Sequence, residues 1–260
     1  AVLRERKPRP PRDCPTVAGE TRAERLGRNP AIAADRRVVH AVSDPISAKG
    51  GLVALFGSLA PGGAIVKRAA ADPRLLEHEG RAVVFDSLED LARRIDDPGL
   101  DVAADDVLVL QNAGPKSASG MPEAGYLPIP KKLARQGVKD MVRVSDARMS
   151  GTAFGTIVLH VTPEATVGGP LSIVRTGDRI RLSVAERRID LLVGDAEIAA
   201  RLAAAPAAGA AAGGSARASA AAGVAAAAPP SGRGYDLLYR THVLQADRGC
   251  DFDFLRGDPA

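Results

Sequence analysis

The sequence predicts an α+β fold rich in β-structure, a barrel or sandwich with a few peripheral helices. From about residue 50 onward, short apolar and β-branched runs are separated by Gly, Pro and Asp turns. Residues 178–184 and 188–193 alternate polar and apolar side chains, as a half-exposed hairpin does. Helical spacing is confined to three short stretches. Many strands and few helices therefore define the predicted fold class.

Eight segments are predicted strands, each bounded by turn residues. Six are mainly apolar runs, at residues 64–67, 81–85, 106–110, 141–144, 156–161 and 171–174. The other two form the hairpin, with residues 185–187 as its connection. Aromatic residues make up only 3% of the chain and Trp is absent, so we expect a core of Val, Ile, Leu and Ala.

Three helices are predicted. Ser87 is suited to cap a helix over residues 88–95, in which apolar residues recur three and four apart. A second is predicted over residues 131–136 and ends at Gly137. The third, over residues 235–244, is expected to pack back on the main body.

Differences in amino-acid composition divide the chain into four segments. Residues 1–45 combine prolines and scattered charges, and they are predicted to be the end of a preceding domain with its linker; a first residue other than Met agrees with truncation. Residues 46–202 are the predicted main domain. Residues 203–232 are nearly all Ala, Gly, Pro and Ser and cannot offset their ordering entropy, which predicts a flexible insertion. Residues 233–260 return to the main domain as a helix and tail.

Charge and cysteine content exclude several classes of protein. The net charge of +4 owes much to a basic, proline-rich front end without aromatics, typical of a solvated tail rather than a nucleic-acid site: Arg4, Arg6, Lys7, Arg9 and Arg12. Cys14 and Cys250 lie near opposite ends, which predicts neither a disulfide framework nor a zinc site. No charge-free apolar stretch reaches the roughly 18–20 residues of a membrane span. We expect a soluble cytoplasmic protein that binds neither nucleic acid nor membrane.

A first polar, Gly-rich loop follows the predicted strand 106–110. It covers residues 111–125 and contains Glu123, a hard oxygen donor suited to Mg²⁺. Loops at strand ends are common places for functional sites. A solvent-exposed hairpin loop with an ordinary glutamate is the alternative interpretation.

A second loop, residues 145–152, follows the predicted strand 141–144. Its Ser150 could be a nucleophile, a base or an anion-binding hydroxyl, or Ser150 and Thr152 could simply satisfy a turn. Arg148 stands two residues before Ser150, so the Gly-x-Ser-x-Gly elbow of hydrolases is absent and a hydrolase triad is unsupported. His160 lies in an apolar run and is predicted to be structural.

Together these loops and their neighbours form an ordered series of motifs over about 140 residues. The motifs lie at residues 50–52, 57–64, 78–80, 84–87, 114–116, 120–123, 145–152, 160–165 and 168–171. In this order they closely resemble the C-terminal part of the dihydroxy-acid and sugar-acid dehydratase family. Residues 120–126, 146–152 and 245–255 are more similar to the pentonate branch, the arabinonate and xylonate dehydratases, than to the enzymes of branched-chain amino-acid synthesis.

The resemblance implies a hydro-lyase that converts a 2,3-dihydroxy sugar acid to a 2-keto-3-deoxy acid. It assigns Ser150 as the base that removes the C2 proton, and Glu123 as a Mg²⁺ ligand. It also assigns Thr152 and the backbone around Gly151 to the substrate carboxylate. An iron of a [2Fe-2S] or [4Fe-4S] cluster would draw off the C3 hydroxyl.

The family resemblance also implies what this chain would lack. In the family a larger N-terminal domain carries the cluster cysteines and the other Mg²⁺ ligands, and the C-terminal barrel swivels onto it. Residues 1–45 look like the end of that domain, and neither Cys14 nor Cys250 is placed to hold a cluster. We therefore expect the chain alone to bind no cluster and to be inactive. Its expected partners are a sugar acid and the missing domain or a complementary chain, and the full-length enzyme is expected to be a homo-oligomer.

Two other functions remain open at this stage. One is a dihydroxy-acid dehydratase of branched-chain amino-acid synthesis. The other is a non-catalytic barrel that acts only as a binding or interaction module. A neighbouring reading frame with three spaced cysteines and the missing metal ligands would favour a split enzyme over such a module.

Overall fold

The structure, a computed structural model, describes residues 11–28, 35–123, 127–205 and 233–256. The chain divides into two compact units, Ala1–Gly50 and Gly51–Ala260. No helix among these described residues is both long and apolar enough to cross a membrane.

The described part of the first unit, residues 11–28 and 35–50, contains one short helix, α1 (Arg22–Arg28), with no buried residue. Its start is a capping box. The Thr21 hydroxyl accepts from the Glu24 N–H at 3.2 Å, and the Glu24 carboxylate accepts from the Thr21 N–H at 2.7 Å. Local capping therefore accounts for this helix.

The second unit is built on one mixed sheet of eight strands. They are β1 (Val53–Leu55), β2 (Gly63–Val66), β3 (Glu77–Phe85), β4 (Val107–Leu110), β5 (Arg143–Ser145), β6 (Ile157–Thr162), β7 (Arg179–Ser183) and β8 (Arg188–Leu191). Their order is β1-β2-β6-β5-β4-β3-β7-β8. The neighbours β3, β4, β5 and β6 run parallel, and the remaining pairs are antiparallel.

The two edges of this sheet meet next to β1 and β8. Phe56 and Arg188 form an isolated parallel bridge. The Phe56 N–H donates to the Arg187 carbonyl at 2.9 Å, and the Ile189 N–H donates to the Phe56 carbonyl at 3.0 Å. The sheet is thus nearly closed into a barrel, and the predicted α+β, β-rich barrel is confirmed.

The central strand β4 explains why an all-apolar run is a strand here. Val107 and Val109 belong to one hydrophobic core, and Leu108 and Leu110 belong to a second core on the opposite face. Successive side chains of β4 point to opposite faces of the sheet, and both faces are buried. Every residue of the strand is therefore apolar, without the polar alternation of a half-exposed strand.

Three of the helices are those predicted from the sequence. In α2 (Leu88–Arg94) the Ser87 hydroxyl accepts from the Asp90 N–H at 3.1 Å, as expected of an N-cap. The helix α3 (Lys131–Arg135) is followed by Gly137 with φ +91°. The last, α5, spans Gly234–His242.

One strand and two helices were not predicted: β1, which is only three residues long, α1 of the first unit, and the helix α4 (Asp195–Ala204). Ile198 and Leu202 of α4 pack against the first core. The boundary predicted between residues 202 and 203 falls inside this helix, and most of the predicted insertion, residues 206–232, lies outside the described residues.

The strand predicted at residues 171–174 is wrong. A 3₁₀ helix, Pro170–Ile173, occupies this position. Leu171 and Val174 are buried, and their carbonyls accept from the Gln111 side-chain amide at 2.7 and 3.0 Å. A short apolar run does not distinguish a strand from a buried helical turn, and Pro170 at the first position favours the turn.

Candidate active site

The two polar loops follow neighbouring parallel strands, β4 and β5, so both begin at the C-terminal ends of these strands, on the same side of the barrel. The Arg148 N–H donates to the Pro122 carbonyl at 3.1 Å, and Arg148 and Glu123 form an isolated parallel bridge. The structure therefore brings the predicted residues Glu123 and Ser150 to one place. With Arg148 and Thr152 they line a cavity of about 650 Å³.

Ser150, Gly151 and Thr152 form a tight turn at this cavity. The Ser150 and Thr152 hydroxyls lie 3.0 Å apart, and the Thr152 N–H donates to the Ser150 Oγ at 3.2 Å. Ser150 is half-buried, whereas Gly151 and Thr152 are exposed. The turn predicted from composition and the site predicted from the resemblance are thus the same three residues.

Glu123 is half-exposed and forms one ion pair. Its Oε1 lies 3.1 Å from Arg148 Nη1, and the two side chains are 46% and 53% exposed. Because each side chain keeps about half its surface in water, the pair is open to competition from a ligand.

His160 anchors the segment that leads into the Ser150 turn. The ring Nε2 of His160 accepts from the Met149 N–H at 2.8 Å, and the backbone N–H of His160 donates to the Ala147 carbonyl at 2.9 Å. Burial, with a smaller effect of the Arg148 charge, lowers the pKa of His160 below its ordinary value. A neutral ring keeps the Nε2 lone pair available, so His160 has the structural role that the sequence predicts.

Lys67, at the end of β2, was not singled out from the sequence. Its Nζ donates to the Gly151 carbonyl at 2.7 Å. This contact places a positive charge one residue from Ser150 and fixes the orientation of the Gly151 peptide group. Only the barrel, which sets β2 beside β6, brings Lys67 to this turn.

Asp146 is a buried carboxylate that joins three segments. Its Oδ1 accepts from the Ala113 N–H at 2.9 Å, and its Oδ2 accepts from the Ala165 N–H at 2.8 Å. Burial raises the pKa of Asp146 to about 7, against these two hydrogen bonds, which favour the charged form. Asp146 therefore fixes the loop of Glu123 to the loop of Ser150.

Glu164 is the second buried carboxylate that sequence reasoning missed. It accepts from the Lys116 N–H at 3.0 Å and from the Gln245 side-chain amide at 2.6 Å, and its own N–H donates to the Gln245 Oε1 at 2.9 Å. Burial raises its pKa. A Cβ at Gly114 would collide with this side chain, which explains the glycine.

Arg143 is a buried residue among those that line the cavity. It donates to the Asp140 carboxylate at 3.1 Å and to the Leu127 and Phe154 carbonyls at 3.2 and 3.0 Å. Burial lowers its pKa, and the paired Asp140 opposes this effect. With its donors engaged, Arg143 supports the loop and is not free to hold a ligand.

The described residues do not make up a complete metal or cluster site. Among them, no three His, Cys, Asp or Glu side chains are grouped so as to hold a metal ion. Cys250 instead contacts the Met121 sulfur at 3.4 Å, and burial raises the pKa of its thiol. Glu123 fits the role of one ligand, and the remaining ligands of a Mg²⁺ or iron–sulfur site would have to come from outside these residues.

Comparison with known proteins identifies the family. A family model described as dihydroxy-acid/6-phosphogluconate dehydratase C-terminal matches residues 37–250. The chain belongs to this dehydratase family. The resemblance found in the sequence is thus confirmed, and both candidate loops lie within the matched region of the dehydratase domain.

Relatives of this dehydratase domain include enzymes named for sugar acids and for dihydroxy acids. A 6-deoxy-6-sulfo-D-gluconate dehydratase of Pseudomonas putida is 44% identical over 100% of this chain and 42% of its own length. An L-arabonate dehydratase of Azospirillum brasilense is 46% identical over 94% of this chain and 40% of its own. A dihydroxy-acid dehydratase of Acidothermus cellulolyticus is 43% identical over 74% and 33%. The chain therefore spans well under half the length of these relatives.

Proposed function

We propose that this chain is the C-terminal part of a hydro-lyase that dehydrates a 2,3-dihydroxy sugar acid, such as L-arabinonate or D-xylonate, to a 2-keto-3-deoxy acid. The observation that carries the proposal is the shared cavity of Glu123, Ser150 and Thr152. Relatives named for sugar acids match more of the chain than does the dihydroxy-acid dehydratase, which supports the sugar-acid branch.

In this proposal the chain supplies the base and part of the substrate site. Removal of the C2 proton and loss of the C3 hydroxyl release water, and the resulting enol tautomerises to the ketone. Ser150 Oγ takes the C2 proton, while Thr152 and the Gly151 backbone hold the substrate carboxylate. A serine hydroxyl is a weak base at neutral pH, and the Lys67 ammonium on the Gly151 carbonyl supplies a nearby positive charge that favours its deprotonated form.

A chimera tests the proposal. The matching C-terminal part of the A. brasilense L-arabonate dehydratase is replaced by this chain, and 2-keto acid formation is followed with L-arabinonate, D-xylonate and a branched-chain 2,3-dihydroxy acid. We expect turnover of a sugar acid, and a loss of about 10²-fold or more in kcat for Ser150→Ala.

The matched control is Ser172→Ala. The Ser172 hydroxyl also makes a local hydrogen bond, to the Gly169 carbonyl at 2.7 Å, and it lies outside the cavity lining. Equal turnover of the Ser150→Ala and Ser172→Ala chimeras would refute the role of Ser150. Turnover of the branched-chain acid alone would replace the sugar-acid proposal with the dihydroxy-acid one. The isolated chain is expected to contain no stoichiometric iron and sulfide and to give no turnover.

A further inference from the structure

Arg148 is the cation of this cavity that can reach a ligand. Of the described arginines and lysines that line it, Arg143 is buried with its donors engaged, whereas Arg148 is 53% exposed. Among the described residues, Arg148 forms a side-chain ion pair with Glu123 alone, from Nη1 to Oε1 at 3.1 Å, so the guanidinium retains donors for a second oxygen. A planar guanidinium with free N–H groups is well suited to bind a carboxylate through two parallel hydrogen bonds.

The group that now occupies Arg148 is itself a carboxylate. Glu123 and the carboxylate of a sugar acid would compete for the same N–H groups. An ion pair between half-exposed side chains is weak, so a ligand at millimolar concentration can displace it. The backbone hydrogen bond from the Arg148 N–H to the Pro122 carbonyl keeps the two loops together when the side chains part.

We propose that Arg148 binds the substrate carboxylate, beside Thr152, and that Glu123 is its internal competitor. In the structure Glu123 pairs with the guanidinium. An incoming sugar acid takes its place and releases the Glu123 carboxylate into the cavity, where it can turn to a cation. This inference rests on the proposed function only for the choice of ligand.

The exchange predicts effects of opposite sign at the two partners. Arg148→Gln removes the carboxylate site and should weaken sugar-acid binding about tenfold or more. Glu123→Gln removes the competitor and should tighten binding by about two- to fivefold, even without metal. In the double variant the gain from Glu123→Gln should vanish, because it acts through Arg148. Simple removal of a negative charge would instead raise affinity in both backgrounds.

The experiment is an NMR titration of the ¹⁵N-labelled full chain with L-arabinonate in the presence of a chelator. L-Arabinitol, which lacks the carboxylate, is the neutral comparison ligand and should not bind detectably. Arg148→Lys keeps the charge but not the planar fork and should bind with intermediate affinity. Circular dichroism of each variant reports whether it is folded.

The chain offers a matched control pair. Glu79 and Arg179 form an ion pair at 2.8 Å between side chains that are 46% and 52% exposed, nearly the same as Glu123 and Arg148. Glu79→Gln and Arg179→Gln should leave arabinonate binding unchanged.

Arabinonate binding that Arg148→Gln leaves intact would overturn the inference, as would an absence of binding or an equal gain from Glu123→Gln in both backgrounds. The proposed function and this inference can be refuted independently of each other. Arg148-dependent binding with an inactive chimera would refute the dehydratase proposal and keep the carboxylate site. An active chimera whose isolated C-terminal chain binds arabinonate independently of Arg148 would refute this inference alone.

Discussion

The buried Asp146 makes stability depend on pH in a direction that can be measured. Its side chain is almost completely buried, and its pKa is raised from an ordinary 3.8 to about 7. Between these two pKa values the folded state therefore holds a proton that the unfolded chain has released. The stabilisation of the folded state by this proton is fully present below pH 3.8 and is lost as the pH rises through 7. Between pH 5 and 7, linkage gives a loss of about 2 kcal/mol in the free energy of unfolding from Asp146 alone.

Asp146→Asn is the perturbation that isolates this effect. The amide is neutral at every pH, so it removes the proton linkage. It keeps one oxygen acceptor for the Ala113 or Ala165 N–H and loses the other hydrogen bond, at a cost of about 1 kcal/mol. The variant should be less stable than the parent chain by about 1 kcal/mol at pH 5 and more stable by about 1 kcal/mol at pH 7. The two stability curves should cross.

Urea unfolding followed by circular dichroism, at pH 5, 6, 7 and 8, measures both curves. Titrating groups that do not interact with Asp146 cancel in the difference, among them His160, whose lowered pKa has the opposite effect. The negative charge of Glu164 contributes to the raised pKa of Asp146, so this coupling is lost together with the Asp146 carboxyl. Asp190→Asn is the control. Burial opposes ionisation of Asp190, but hydrogen bonds from Arg188 and Ser58 keep its pKa below the ordinary value. This control should change stability by an amount independent of pH in this range. Parallel curves for the parent and Asp146→Asn would show that Asp146 is ionised in the folded chain and would refute the reasoning.

Two further substitutions test the packing beneath the site. Gly155→Ala, at φ +94°, places a Cβ against the buried ion pair under the loop and should cost more than about 3 kcal/mol in unfolding free energy. Gly177→Ala, at φ +102° with open space around it, should cost only about 1 kcal/mol, and equal costs would contradict the collision. Gln245→Ala removes two hydrogen bonds to Glu164 and should cost about 1–3 kcal/mol, against less than about 0.5 for the exposed Gln136→Ala; similar values would show that the Gln245 contact contributes nothing.

The positions of Ser150 and Glu123 could be predicted because each lies in a loop directly after an apolar strand. If those strands are parallel neighbours, both loops begin at their C-terminal ends and lie close together. The order of the strands could not be predicted in the same way. Lys67 directly follows β2, and its contact with Gly151 depends on β2 pairing with β6 across nearly one hundred residues, which local patterns do not encode.

The buried carboxylates were missed for a related reason. Asp146 and Glu164 stand in polar stretches where an acidic residue is normally exposed. Their burial arises from tertiary contacts. Gln245, which hydrogen-bonds Glu164, is 81 residues away along the chain. A sequence pattern reports the polarity of a residue, whereas the hydrogen bonds that make its burial tolerable come from other segments.

The anchors of the Ser150 turn bind the main chain rather than its side chains. His160 holds the Met149 N–H and Lys67 holds the Gly151 carbonyl. Replacement of the side chains that face the cavity would therefore leave these attachments in place. Such a scaffold can evolve toward new substrates without rebuilding its support, and its relatives include dehydratases named for both a pentonate and a sulfonated hexonate.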